Sequence, residues 1–218
     1  NSVKGRTNWY NTLDIAITVK LHQKKYSSAT HHFFTGKNHT KFKNIYQKLK
    51  QRWGLLEAYI NFLQLSGAVP ESPTMSRYRI NKFINDTPRY SEDKKGRNIQ
   101  LIIAQLLFYI VDKNWDKMEE KIEALQKYGT RYLRKGELFR SQVFIKMLLE
   151  IPKRMYHPAA IIRHTARYRK RLAEMKPNID LNGSTLEIIP YEDLWELILP
   201  NIVPPKYTRE KKLSEAFK

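Results

Sequence analysis

Between Ile99 and Val111 every residue except Gln100 and Gln105 is apolar. A helix of that composition has no face suited to water, so it has to be buried on all sides. It is also shorter than the about 20 apolar residues that a membrane-spanning helix needs. The chain must therefore supply amphipathic neighbours to surround it. After Asp112-Lys113-Asn114, the residues Trp115, Met118, Ile122, Leu125 and Tyr132 recur at helical spacing with charges between them. A third run, Leu138 to Ile151, carries Phe139, Val143, Phe144, Met147 and Leu148. The stretch Asn98–Ile151 thus predicts three helices at the centre of an antiparallel stack.

The flanks extend the pattern. Tyr10, Leu13, Ile17 and Leu21 share one helical face, with Asn8 in position to cap that helix. Ser27 or Ser28 is expected to cap a second helix holding Ala29, Phe33 and Phe34, with Gly36 at its end. From Thr40 to Ser66 the apolar positions Phe42, Ile45, Tyr46, Leu49, Trp53, Leu56, Ile60 and Leu63 predict a long helix. Gly54 is a candidate break in it and Gly67 its end. Residues 69–97 contain Pro70, Pro73 and Pro88 and predict an irregular connection. Beyond Pro152, expected to stop the third central helix, Pro158 starts a helix with the stripe Ile161, Thr165, Tyr168 and Leu172. Leu186, Ile188 and Ile189 could form a short strand or pack as extended chain, and Tyr191–Leu199 predicts a last short helix before Pro200.

The resulting expectation is an all-α chain of antiparallel hairpins. Residues 1–68 form N-terminal hairpins, 69–97 an irregular connection, 98–199 a C-terminal stack and 200–218 a charged tail, with at most one short strand pair. Two helix–turn–helix joints carry the same spacing, Leu21-His22-Gln23-Lys24-Lys25-Tyr26-Ser27-Ser28-Ala29 and Ile110-Val111-Asp112-Lys113-Asn114-Trp115-Asp116-Lys117-Met118. In each, an aromatic opens the second helix, where it can fill the wedge between the pair. The segments Arg79–Phe83, Asp93–Asn98, Leu138–Ser141 and Ile188–Glu196, with these joints, resemble bacterial helical-repeat proteins of the tetratricopeptide-like kind. That resemblance implies an α-solenoid fold, commonly with more sequence at the N-terminus, and no catalytic residues. The chain opens on Asn rather than Met, as expected of a processed chain or of one preceded by further sequence.

Charge supplies the functional clue. Lys and Arg number 40 against 21 Asp and Glu, a formal net charge of +19. From Ile15 to Leu56 there is no acidic residue, while Lys20, Lys24, Lys25, Lys37, Lys41, Lys43, Lys48, Lys50 and Arg52 lie there. A second acid-free block, Ile151–Ala173, holds Lys153, Arg154, Arg163, Arg167, Arg169, Lys170 and Arg171. Helical spacing puts Arg163, Arg167, Lys170 and Arg171 opposite the apolar stripe. If the blocks converge they form a phosphate-binding surface; otherwise they are a solvated basic face. Lys41, Lys48, Arg52, Arg163, Arg167, Lys170 and Arg171 are the candidate contacts. Glu174–Glu196 reverses the balance, as a solvated cap or as an acidic end that docks onto a basic block of a second copy or of sequence preceding this chain.

Catalytic signals are absent from the pattern. There is no Gly-rich phosphate loop, paired-His zinc motif or serine elbow. Zero cysteines exclude disulfide and thiolate chemistry and fit a cytoplasmic location. His31, His32 and His39 lack a nearby carboxylate to orient them, so structural or surface roles are expected and no metal. The expectation is a non-enzymatic scaffold or adaptor, with no cofactor and no membrane span, that binds a protein partner. The alternative is a nucleic-acid-binding module acting through the two basic blocks.

Overall fold

A computed structural model of the chain describes residues 7–70, 97–132, 139–177 and 187–204. Among them there are eight α-helices, two 3-10 turns and no strand. The helices are α1 (Thr7–His22), α2 (Tyr26–Lys37), α3 (Gln47–Leu65), α4 (Arg97–Val111), α5 (Trp115–Tyr132), α6 (Phe139–Lys153), α7 (Pro158–Ala173) and α8 (Tyr191–Ile198). The 3-10 turns are Thr40–Asn44 and Leu199–Asn201. Each helix packs against its successor, and α8 also returns to touch α4 and α6.

The all-apolar segment takes the position its composition demands. On α4, Ile99, Ile103, Leu106, Leu107, Phe108 and Ile110 are all buried, and so are Gln100 and Gln105. The surrounding elements are α3, α5 and α8. Most of the predicted stripes are buried as well: Tyr10, Leu13, Ile17 and Leu21 on α1, Met118, Ile122 and Leu125 on α5, Ile161, Thr165 and Leu172 on α7, with Trp115 and Tyr168 half-buried against the core. One continuous core joins the N-terminal helices to the C-terminal stack. At that junction the Tyr59 hydroxyl donates to the Gln100 carbonyl at 3.4 Å.

The two similar joints share one backbone geometry. Lys24 and Lys113 both adopt a left-handed conformation, with φ of 57° and 55°. The N–H of Lys25 donates to the Lys20 carbonyl, and the N–H of Asn114 to that of Tyr109, each reaching back five residues. Lys24 donates to Leu21 and Lys113 to Ile110 in the same way. These are Schellman closures, which satisfy the last free carbonyls of a helix. Gly67 closes α3 by the same device, with φ of 77°.

Several local expectations are corrected. Gly36 lies inside α2, which ends at Lys37. A Cβ there would stand 2.2 Å from the Trp53 ring and 3.0 Å from Leu13 Cδ1. This glycine therefore serves the approach of α2 to α1 and α3 and does not terminate the helix. Gly54 breaks nothing: α3 is continuous, because the burial of Trp53, Leu56, Ile60 and Leu63 outweighs a penalty of about 1 kcal/mol. The break falls earlier, where Ile45 and Tyr46 are extended between the 3-10 turn and α3, and Tyr46 is exposed. Asn8 lies within α1, and α2 begins at Tyr26 without a serine cap. Pro152 lies in the last turn of α6, followed by left-handed Met155 and Tyr156. Ile188 and Ile189 are buried without strand pairing. Leu186, residues 71–96 of the expected connection and residues 205–218 of the expected tail lie outside the described residues.

Burial leaves a titratable signature. Desolvation raises the phenol pKa of Tyr59 and, with the nearby Glu187 carboxylate, that of Tyr191 well above the ordinary 10.0. Tyr26 is pushed up to about 12, chiefly by burial. A folded pKa above the unfolded one gives stability that is fully present below pH 10 and lost as pH rises through the folded value. Alkaline titration should therefore show tyrosinate absorbance rising together with loss of helical ellipticity. Tyr59→Phe should shift that transition to higher pH. Tyrosinate appearing at ordinary pH in a chain that keeps its helicity would contradict this packing.

Candidate interaction surface and the ion pairs that frame it

The face of α7 opposite its buried stripe is built by register alone. Arg163, Arg167, Arg169, Lys170 and Arg171 are all exposed. Among the described residues no carboxylate pairs with any of them. Two of the guanidinium groups are held against rings: Arg167 lies 4.6 Å from the Tyr168 ring centroid and Arg171 4.9 Å from that of Phe139. Arg167 also donates to the Tyr168 hydroxyl at 2.7 Å. Such stacking fixes the plane of a guanidinium while leaving its donors outward.

The N-terminal block differs. Arg52 is not a surface cation. Its Nε and Nη2 donate to the Asp14 carboxylate at 3.1 Å, Nη2 also reaches Thr18 Oγ1 at 3.2 Å, and the pair is largely buried. Arg52 therefore ties α3 to α1 and is removed from the candidate contacts. Lys37 pairs with Glu57 at 2.8 Å while lying over the Phe42 ring. Lys24 pairs with Asp193 at 2.9 Å and with Glu196 at 3.2 Å. Hydrogen bonds to Asp193 and then Glu196 raise the Lys24 pKa. Lys41 and Lys48 are exposed and make no ion pair among the described residues. Lys41 stands on the 3-10 turn and Lys48 at the start of α3. Neither element is a main packing partner of α7, which among the described residues packs chiefly on α6 and α8.

Of the acidic end's described residues, Glu174 and Glu196 are exposed, while Glu187 and Asp193 are buried and Glu192 half-buried. Arg140, at the start of α6, is buried, and its Nε and Nη2 donate to the two oxygens of Glu187 at 2.6 and 2.9 Å. The same guanidinium reaches Glu192, the Leu172 carbonyl at 2.7 Å and the Met175 carbonyl. Glu187 Oε2 also accepts the Tyr191 N–H at 3.1 Å, at the start of α8, where an anion suits the helix dipole. Burial opposes charge on Arg140, but the carboxylates of Glu187 and Glu192 outweigh it and raise its pKa. On the other side, His22 Nε2 lies 2.7 Å from the Glu187 carbonyl, next to the Lys24 pairs. Thus α8 and the segment before it are clamped between the first joint and the α6–α7 pair.

This node was missed in the sequence, yet a signal was there. Arg140 precedes Phe144, Met147 and Ile151 at helical intervals, so register puts it on the core face and demands buried acids. Arg52 stands likewise before Leu56 and Tyr59. Two of the histidines weighed as metal ligands have local partners: His39 Nδ1 accepts the Lys41 N–H at 3.2 Å, and His32 Nδ1 lies 2.8 Å from the Ser28 carbonyl. His157 occupies the cap position of α7 without a side-chain capping bond. No helix among the described residues is long and apolar enough to cross a membrane. No family model, curated protein or solved structure matches the chain.

Proposed function

We propose that this chain is a non-enzymatic helical-repeat module, stacked in the tetratricopeptide-like manner, that acts as a scaffold or adaptor by binding a protein partner. The observation that carries this reading is the shared closure at Lys24 and Lys113, together with successive packing of neighbouring helices. Stacked hairpins expose long surfaces suited to macromolecules more than to small substrates. The chain has no cysteine to oxidise and suits a reducing compartment such as the cytoplasm. Affinity capture on the immobilised chain after nuclease treatment, followed by titration calorimetry with the purified captured protein, tests it. A saturable complex of defined stoichiometry is expected. If no nuclease-resistant complex forms, the protein-binding reading fails.

A second reading, a nucleic-acid-binding module, is favoured by one observation: the unpaired cationic face of α7.

A further inference from the structure

The geometry points to α7 by itself, not a groove between two basic blocks, as a contact for the phosphate backbone of RNA or DNA. This inference rests on the nucleic-acid reading and narrows it to one helix. Both blocks look equivalent as strings of charge, and pairing separates them. In the first, the single arginine is spent on Asp14, and Lys24 and Lys37 are spent on acids. The lysines left over are spread across the ends of α1 and α2, the 3-10 turn and the first turn of α3. In the second, Arg154 before α7 is paired with Glu150, but four arginines and one lysine lie exposed on α7 within about two and a half turns. Phosphate recognition favours guanidinium, a planar fork that loses less freedom per bond than a lysine ammonium. Arg167 and Arg171 are already held by rings.

The surroundings of this face decide among anionic partners. A helix that lies in a membrane interface buries its own apolar side in lipid, but Ile161, Thr165 and Leu172 are committed to the core. An acidic protein partner would call for an apolar centre depleted of charge. The outward side of α7 offers only Ile162 as an exposed large apolar residue, 44% exposed, beside Arg163, Arg167, Lys170 and Arg171. A row of cations with little apolar surface matches a polyphosphate chain, whose binding is dominated by counterion release.

The test pairs two variants with the same change in net charge, Arg163→Glu/Arg167→Glu and Lys41→Glu/Lys48→Glu. All four side chains are exposed, so unchanged thermal melts are expected. The probes are fluorescein-labelled mixed-sequence RNA, single-stranded DNA and duplex DNA, read by anisotropy as salt rises. Four phosphate contacts predict that wild-type affinity for the duplex falls about 100-fold between roughly 50 and 200 mM salt. The α7 variant should bind at least about tenfold more weakly, with a salt slope shallower by roughly two units on duplex DNA. The Lys41/Lys48 variant should stay within a few-fold of wild type. Equal losses in both variants would overturn the assignment to α7 while leaving the nucleic-acid reading standing. Absence of binding to all three probes would overturn both. Tighter binding to phosphatidylserine vesicles or polyglutamate than to nucleic acid would assign the face to another partner and overturn the inference. If the glutamate variant fails to fold, Arg163→Gln/Arg167→Gln applies the same criterion. Retention of a captured protein partner by the α7 variant would leave the protein-binding module intact, so the two proposals fail separately.

Discussion

Replacing Arg140 with Met is expected to destabilise the fold by about 3–5 kcal/mol, the usual cost of removing one partner from a buried ion pair. The magnitude follows from what the guanidinium leaves behind. Glu187 is 5% exposed and would lose two charge-assisted hydrogen bonds. Glu192 loses a second pair, and the Leu172 carbonyl in the last turn of α7 loses its side-chain donor. Urea denaturation of the variant measures the loss. Adding Glu187→Gln and Glu192→Gln to Arg140→Met should recover much of the stability, since a buried pair is worth little relative to well-packed neutral groups. A loss below about 1 kcal/mol, the range of an exposed pair, would show that solvent screens this node.

Two glycine substitutions should move stability in opposite directions. Gly36→Ala places a methyl 2.2 Å from the Trp53 ring and 3.0 Å from Leu13. Trp53 is wholly buried and packed between Tyr10, Phe33 and Phe42, so the ring has no free direction in which to move. Overpacking costs about 1–3 kcal/mol, and a rigid indole puts this case at the upper end. The alanine's helix propensity returns about 1 kcal/mol, for a net loss of about 2 kcal/mol. Gly54→Ala gains the same propensity, with nothing within 4 Å of the added methyl. For a chain of this size that corresponds to a fall of about 4–8 °C for Gly36→Ala and a rise of about 2–4 °C for Gly54→Ala. In a Trp53→Leu background, itself destabilised by the cavity left behind, Gly36→Ala should cost less than it does beside the full ring. Equal melting of both single variants would mean that α2 does not approach Trp53 as closely as the structure shows.

The helices were legible because their cause is local. Burial of α4 followed from the lack of any polar face, and the stripes of α1, α5 and α7 followed from a helical period that needs no knowledge of the partner. The matched joints at Lys24 and Lys113 could be read for the same reason, as spacing within a few residues. Gly36 shows where local reading stops: it looks like a helix end, and only the proximity of Trp53 reveals it as a packing requirement.

Charge was legible as a total but not as an assignment. Arg52 and Arg163 are alike in an acid-free stretch. One is spent on Asp14, 38 residues earlier for its Nε donor, while the other faces water. Arg140 meets Glu187 across 47 residues, and Lys24 meets Asp193 from the far end of the chain. An ion pair depends on distance in space, which falls off with no regard to sequence separation. The sequence alone determined an all-helical chain with an excess of cations. The tertiary structure decided which of those cations hold the stack together and which remain free to bind something else.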